Sequence, residues 1–152
     1  MKTIAGIDPG IYGAVAIIKD DEVTVYDMPV TGEKKTIDGQ EICGILNKHR
    51  PSHIFIEKAQ SMPKQGIAST GRYMYGAGMI EGICIAYSIP YTLVRPQTWR
   101  RIIMSDMGKG KDESIRRAKQ LYPKYEGLTK KIHHGRAEAI LIAHYGKIKG
   151  GE

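Results

Sequence analysis

The feature that most constrains the fold is a short apolar segment near the start of the chain that ends on a carboxylate. Residues 3–8 read TIAGID, and Pro9 and Gly10 follow at once. Pro9 has no amide proton and Gly10 tolerates positive φ, so the strand must stop here and the chain must turn. The apolar segment 12–18 then predicts a second strand. Asp8 is expected at the end of a buried strand, as a ligand for a metal or a phosphate-bearing partner, or as a turn residue that bonds its own backbone.

The rest of the chain predicts an α/β domain built on one mixed sheet. Segment 22–28 alternates with period two and gives a third strand, so the first three strands form an antiparallel meander. Residues 53–57 follow a predicted crossover helix and should pair parallel to the first strand, with Glu57 at the same end as Asp8. The predicted elements that complete the order are a helix over 36–50, a loop over 58–71, a helix over 71–87, a strand over 91–94, a short helix from 96, and helices over 112–121 and 134–145.

Bulk composition indicates one domain, residues 1–152, with a polyanionic partner. The net charge is +7, and the basic residues cluster at 34–35, 95–101 and 109–131, which favours nucleic acid. Cys43 and Cys84 are not in a CxxC pair, so reduced thiols are the simplest interpretation. No segment reads as a signal peptide, and no apolar run approaches the roughly 18 residues of a membrane span. A cytoplasmic protein without membrane contact is expected.

Four side chains are candidates for chemistry. Glu138 follows His134 by four residues, so the two share a helix face. If that face packs beside the ends of the first and fourth strands, Asp8, Glu57, His134 and Glu138 converge. Three carboxylates in one pocket repel one another unless cations join them, and a pair of magnesium ions held by such oxygens is suited to cutting a phosphodiester. Manganese also tolerates imidazole. Taken singly, each residue could instead be a solvated or capping residue.

Four short motifs resemble those of the RuvC-type Holliday junction resolvases, particularly phage-encoded members. They are Ile7-Asp8-Pro9-Gly10 with Gly13, Ile54-Phe55-Ile56-Glu57, Val94-Arg95-Pro96 with Trp99, and Ala137-Glu138-Ala139. The resemblance spans nearly the whole chain and implies a ribonuclease-H-like fold and a homodimeric, magnesium-dependent nuclease that nicks two strands of a four-way DNA junction symmetrically. It matches Asp8, Glu57 and Glu138 to the first, second and last acids of the family.

The chain departs from the family pattern at two places. The family commonly has an acid or a histidine three residues before the last acid, where this chain has Gly135. We expect His134 to serve instead as the further ligand, with His133 behind it. The family's bacterial members have an aromatic wedge three residues after the glutamate, where this chain has Gln60, so the wedge must come from Met62 or elsewhere in the loop.

Basic residues around the site are the candidates for contacts to DNA phosphates. Such contacts fix the position of a protein on DNA but do not recognise its base sequence. The glycine-lysine loop over 107–111 does not match a P-loop. Arg136 is expected to pair with a phosphate or with Glu138, and Trp99 is expected to be a core or lid residue. Tyr73 and Tyr75 could stack on bases, although core packing is the commoner role of such residues. The candidate DNA-binding residues are Lys64, Arg95, Arg100, Lys109, Lys111 and Arg136.

A resolvase must match two symmetry-related strands, so a homodimer is expected, with the small-residue helix over 71–87 as its interface. Two rivals remain. One is a ribonuclease-H-like nuclease for other branched DNA or RNA–DNA hybrids, and the other is a junction-binding protein with impaired catalysis. An actin-like phosphotransferase would need a second lobe, for which 152 residues leave no room.

Overall fold

The computed structural model describes residues 2–150. The strands are β1 (Ile4–Asp8), β2 (Ala14–Lys19), β3 (Glu22–Asp27), β4 (Val30–Thr31), β5 (Thr36–Ile37), β6 (His53–Glu57) and β7 (Tyr91–Val94). The α-helices are α1 (Gly39–His49), α2 (Ile67–Ala86), α3 (Pro96–Ile103), α4 (Lys111–Leu121) and α5 (His134–Lys149), with a 3₁₀ turn over Lys131–His133 before α5. In this part of the chain, no helix is both long enough and apolar enough to cross a bilayer.

Five of the strands form one mixed sheet in the order β3-β2-β1-β6-β7. β1 pairs antiparallel with β2, and β2 pairs antiparallel with β3. β1 pairs parallel with β6, and β6 pairs parallel with β7. This arrangement confirms the predicted fold class, three antiparallel strands followed by parallel ones. Because β1 and β6 run parallel as neighbours, Asp8 and Glu57 lie at the same edge of the sheet.

Alternating side chains of β1 supply two cores, one on each face of the sheet. Ile4 packs with residues of α3, α4 and α5, whereas Ala5 and Ile7 pack with residues of α1 and α2. Strands buried on both faces are expected where helices cover both sides of a sheet. The fold is thus a three-layer α/β arrangement.

Helix α5 lies directly on β1 because Gly6 has no side chain. A Cβ at Gly6 would stand 2.3 Å from the amide nitrogen of Ala143 and 2.4 Å from the carbonyl oxygen of Ala139. At the C-terminal end of β1, Gly135 lies against the β1–β2 turn, where its Cβ would be 2.1 Å from the Tyr12 carbonyl oxygen. These contacts place the first turns of α5, and with them Glu138, beside the end of β1 that carries Asp8.

Several boundaries differ from the sequence predictions. The loop after β6 is shorter than expected, because α2 begins at Ile67 rather than at Gly71. The polar segment after β3 contains a small two-stranded sheet, in which Thr36 and Ile37 pair with Thr31 and Val30. Helix α1 therefore starts only after Asp38, whose carboxylate accepts hydrogen bonds from the backbone N–H groups of Gln40 (3.1 Å) and Glu41 (3.3 Å).

Candidate active site

Asp8 is fixed by the turn that ends β1. The N–H of Gly10 donates to Oδ1 of Asp8 at 3.4 Å, and the N–H of Gly13 closes the turn on the Gly10 carbonyl oxygen at 2.8 Å. Gly13 is packed on the strand, since its Cβ would lie 2.0 Å from the carbonyl oxygen of Asp8. The turn-capping interaction considered from the sequence is therefore present, but it is long and uses one carboxylate oxygen.

Glu57 ends β6 beside Asp8, and a tryptophan holds it. The indole N–H of Trp99 donates to Oε2 of Glu57 at 2.7 Å. Trp99 is fully buried in α3, so it cannot follow Glu57 if that side chain turns away. Burial raises the pKa of the Glu57 carboxyl, and the Trp99 hydrogen bond opposes part of that rise. Trp99 is a core residue, as predicted, with a polar role that the sequence pattern does not indicate.

Glu138 projects from α5 and is paired with the residue that follows Trp99. Nη2 of Arg100 donates to Oε1 of Glu138. The guanidinium carbon of Arg100 lies 4.6 Å from the centroid of the Trp99 ring, within the range of a cation–π contact. Two adjacent residues of α3 thus bind two of the three acids.

The three carboxylates influence one another strongly. Burial, then the charge of Glu138, then the charge of Glu57, raise the pKa of Asp8 to about 8. A hydrogen bond between the Asp8 and Glu138 carboxyls also favours the protonated form of Asp8. Such a concentration of negative charge is the arrangement that a divalent cation relieves.

Tyr73 of α2 lies beside this acid cluster, a position that the sequence does not predict. A Cβ at Gly10 would lie 3.8 Å from a ring carbon of Tyr73 and 3.9 Å from Oδ1 of Asp8. Burial and then the charges of Asp8, Glu57 and Glu138 raise the pKa of the Tyr73 hydroxyl, which therefore stays protonated. The only sequence signal is a tyrosine just after a polar loop that follows Glu57.

The donor chemistry of the cluster suits magnesium or manganese, which prefer carboxylate oxygens. Across residues 2–150, however, no group of three or more His, Cys, Asp or Glu side chains is arranged so that it could hold a metal ion. The side chains of Glu57 and Glu138 are directed to donors on α3. The three carboxylates are thus of the right chemical type to bind a hard cation, while Glu57 and Glu138 are oriented to accept hydrogen bonds from Trp99 and Arg100.

The histidines lie at the start of α5. Nδ1 of His133 accepts hydrogen bonds from the N–H groups of Thr129 (3.1 Å) and Lys130 (3.2 Å), so His133 stabilises the loop before the helix. His134 is partly buried, and no hydrogen bond or ion pair joins it to the acids in the described residues. Gly135 faces the backbone of the β1–β2 turn, which leaves no space for a side chain at the family's usual ligand position.

The proposed DNA contacts fall into two groups. Arg100, Lys109 and Lys111 line a cavity of about 860 Å³ that Arg101 and Glu138 also border, so this basic cavity adjoins the acid cluster. Its remaining lining includes Pro96, Gln97, Met104 and Met107. Outside it, Arg95 is exposed at the start of α3, and Lys64 is exposed in the loop before α2 with a φ of 68°.

Arg136 differs from the expectation. Its Nε and Nη2 donate to the two carboxylate oxygens of Asp27 at 2.7 and 2.9 Å, and Nη1 donates to the Gly127 carbonyl oxygen at 2.9 Å. The partner of Glu138 is Arg100, so the suggested Arg136–Glu138 pair is wrong. Residues two apart on a helix point in different directions, which explains the separation.

The sheet order, the parallel β6 and the helix packed across β1 define a ribonuclease-H-like fold of the RuvC type. Thermus thermophilus RuvC in complex with a Holliday junction substrate superposes with a TM-score of 0.67 at 15% identity, covering 99% of this chain and 97% of RuvC. A second T. thermophilus RuvC structure gives 0.61 at 16% identity, covering 98% and 96%.

The yeast mitochondrial Holliday junction resolvase Ydc2 is also similar, with a TM-score of 0.56 at 14% identity over 97% of this chain and 80% of Ydc2. No protein-family model matches the sequence, and no curated protein sequence matches it significantly. At this level of identity, the likeness establishes the fold.

Proposed function

We propose that this chain is a divalent-metal-dependent endonuclease that resolves four-way DNA junctions by paired symmetric nicks, with residues 1–152 acting as one nuclease domain. The observation that carries the proposal is the convergence of Asp8, Glu57 and Glu138 from β1, β6 and α5. The structural neighbours support the substrate class, because one is RuvC bound to a Holliday junction and another is a Holliday junction resolvase.

In the proposed mechanism, Asp8, Glu57 and Glu138 hold magnesium, for which manganese can substitute. The metal would supply activation of water and neutralisation of charge on the phosphate and the leaving oxygen. Trp99 orients Glu57 through its indole N–H, and the glycine-rich turn holds Asp8 in a buried position where a cation has little competition from water. His134, on the face of α5 that carries Glu138, is proposed as a further ligand or proton carrier.

The basic cavity beside the acids is the proposed path of the DNA backbone. Lys109, Lys111 and Arg100 line it, and phosphate contacts from lysine and arginine account for most non-specific affinity. Lys64 and Arg95, which are exposed, are proposed as additional backbone contacts. Arg136 is a weaker candidate, because its guanidinium group already binds Asp27 and Gly127.

We propose a homodimer formed through α2, since a junction offers two equivalent strands and a two-fold dimer offers two equivalent sites. The helix exposes large apolar side chains, with Met74 46% exposed and Ile85 65% exposed. A Cβ at Gly78 or Gly82 would meet no atom within 4 Å, so a second helix can approach closely there. Analytical ultracentrifugation of wild type and Ile85→Glu tests this, with dimer and monomer expected respectively.

Cleavage of labelled DNA by the purified chain tests the activity. The substrates are a synthetic four-way junction, a fork and an RNA–DNA hybrid duplex, each with and without magnesium. The proposal predicts symmetric nicks in opposite strands of the junction, only with magnesium. Preferred cutting of the fork or hybrid would favour the broader nuclease. Failure to cut any of the three substrates with magnesium, or with manganese in its place, would contradict the proposal.

A junction-binding protein with impaired catalysis is the second candidate. Two observations favour this candidate. Gly135 stands at the family's usual ligand position, and within residues 2–150 no three His, Cys, Asp or Glu side chains are arranged to hold a metal ion. It predicts that the chain binds a four-way junction as tightly with magnesium as without it and leaves all four strands intact. Metal-dependent nicking by the purified chain excludes it.

A further inference from the structure

Arg100 has an unusual place for a residue expected to bind DNA, because it already binds an acid of the candidate active site. Its guanidinium group donates to Oε1 of Glu138 and lies over the ring of Trp99. Only 14% of the Glu138 side chain is exposed, so the carboxylate has little access to water, and this ion pair is a substantial part of its stabilisation.

We propose that Arg100 is a displaceable counterion: it neutralises Glu138 until a divalent cation binds the acid cluster, and it then turns into the basic cavity to bind a DNA phosphate. This inference rests on the proposed function, because it assigns Arg100 a role toward the same metal site. It makes Arg100 a positioning residue that links occupation of the metal site to the presence of DNA.

Competition for one carboxylate supports the first half of the proposal. Arg100 occupies Oε1, one of the two oxygens through which Glu138 can bind a hard cation, and a cation on the same carboxylate would repel the nearby guanidinium group. Within residues 2–150, no three His, Cys, Asp or Glu side chains are arranged to hold a metal ion, which agrees with the pairing of Glu138 with Arg100. A cation must therefore displace the guanidinium group to use Glu138 fully.

The surroundings of Arg100 support the second half. The Arg100 side chain is 35% exposed, so it retains freedom to move, whereas Trp99 beneath it is fully buried and fixed. Arg100 and Glu138 both border the cavity of about 860 Å³ that Lys109 and Lys111 line. A phosphate there offers a guanidinium group a bidentate anionic partner in exchange for Glu138.

The exchange gives a thermodynamic consequence. Both the metal and a DNA phosphate favour the arrangement in which Arg100 is released from Glu138. Bound DNA should therefore raise the affinity for the metal, and bound metal should raise the affinity for DNA. An enzyme built this way holds its metal weakly without DNA. Removing the Arg100 side chain should therefore strengthen metal binding in the absence of DNA, which is opposite to the effect of removing a metal ligand.

Trp99 provides a direct reporter, because it is the only tryptophan in the chain and it contacts both Glu57 and Arg100. Paramagnetic Mn²⁺ bound at the acids should quench its fluorescence, and calorimetric titration with Mg²⁺ gives an independent affinity. Both measurements use the full chain without DNA. Arg100→Gln is the test variant, and Lys48→Gln is its charge-removal control, since Lys48 is exposed on α1 outside the basic cavity.

We expect Arg100→Gln to bind Mn²⁺ about tenfold more tightly than wild type, the effect of removing one charge-assisted competitor. Lys48→Gln should match wild type, and Arg100→Lys, which keeps the positive charge, should stay within about twofold of it. Equal or weaker Mn²⁺ binding by Arg100→Gln would overturn the proposal, as would a Lys variant that binds as tightly as the Gln variant. Circular dichroism spectra matching wild type establish that each variant is folded.

A ligand variant separates this proposal from the function on which it rests. Asp8→Asn should abolish the Mn²⁺ quenching. If it quenches like wild type, the metal is not at the acid cluster and both proposals fail. If Asp8→Asn loses quenching while Arg100→Gln equals wild type, the metal site stands and the counterion role of Arg100 is refuted.

Discussion

Gly135 gives the sharpest test of how this chain assembles its active site. Substitution by alanine adds one Cβ atom, which would lie 2.1 Å from the carbonyl oxygen of Tyr12 and 3.1 Å from Cα of Gly13. Both neighbours are backbone atoms of the turn that positions Asp8, so no side-chain rotation can relieve the overlap. Either α5 must shift along β1 or the turn must move away from the helix.

Two opposing effects determine how much Gly135→Ala changes the free energy of unfolding. Overpacking that displaces backbone costs about 1–3 kcal/mol, and a contact of 2.1 Å with a backbone atom places Gly135 in the upper half of that range, whereas the higher helix propensity of alanine returns at most about 1 kcal/mol. We therefore expect Gly135→Ala to lower the free energy of unfolding by about 1–2 kcal/mol, which corresponds to a fall in Tm of roughly 2–8 °C for a chain of this size. Junction cleavage should fall as well, because the displaced turn carries Asp8.

Urea and thermal unfolding measure the effect, and Gly44→Ala is the control. Gly44 lies on the exposed face of α1, and a Cβ there would meet no atom within 4 Å. That variant should gain up to about 1 kcal/mol from helix propensity. If Gly135→Ala is as stable as wild type, or is stabilised like Gly44→Ala, the β1–β2 turn does leave room for a side chain at position 135. The steric explanation for glycine at this position is then refuted.

Three further predictions concern the acids, the basic cavity and pH. Trp99→Phe leaves Glu57 without its indole donor, so the free energy of unfolding should fall by about 1–3 kcal/mol, and Mg²⁺ affinity measured by calorimetry should weaken. Lys109→Ala and Lys111→Ala should each reduce the slope of log affinity against log salt for duplex DNA by about 0.9 for every phosphate that the lysine neutralises in wild type. Burial lowers the pKa of His144, so the unfolded chain takes up a proton near pH 6.5 before the folded chain does, and stability measured by urea unfolding should fall as pH drops below that value.

Each of these predictions has a matched control. Tyr91→Phe removes a hydroxyl that donates to Glu81 away from the acids and should leave the calorimetric Mg²⁺ affinity unchanged. Lys48→Ala, on the exposed surface of α1, should leave the salt slope unchanged, and equal slopes for all three lysine variants would refute the cavity as the DNA path. His144→Gln should flatten the loss of stability between pH 6.5 and 5, and an unchanged pH profile would assign that loss to other groups.

The sequence is sufficient to predict the five-stranded sheet and the placement of Asp8 and Glu57 at the same edge of it. The strand that ends at Asp8 is defined by apolar residues followed by Pro9 and Gly10, and the parallel pairing of β6 follows from the helix that precedes it. Glu57 must then lie beside Asp8. These features are local in sequence or follow from topology, which is why the residue pattern predicts them.

The contacts of the basic side chains cannot be predicted from the residue pattern. Arg100 and Arg136 are both close in sequence or expected position to the acids, yet one binds Glu138 and the other binds Asp27. The choice depends on the packing of α3 and α5 and on side-chain direction, neither of which has a sequence signature. The spacing rule for helices nevertheless excludes Arg136 as a partner of Glu138.

The element boundaries show a similar limit. The sequence places the start of α2 too late because Pro63 and Gly66 favour a loop and the helix opens with small and polar residues. The pairing of β4 with β5 involves only two residues in each strand, too few for any alternation to be visible. The family pattern marks Gly135 as a missing ligand, but its steric role depends on how α5 packs against the β1–β2 turn, which no local pattern encodes.

Cleavage of a synthetic four-way junction by wild type and by Asp8→Asn, each with and without magnesium, tests the central proposal most directly. Asparagine has nearly the shape of aspartate, so the variant should fold and bind the junction in a mobility-shift assay as wild type does. We expect symmetric nicks by wild type with magnesium and none by Asp8→Asn. Equal cleavage by the two proteins would contradict the assignment of Asp8, and with it the metal site.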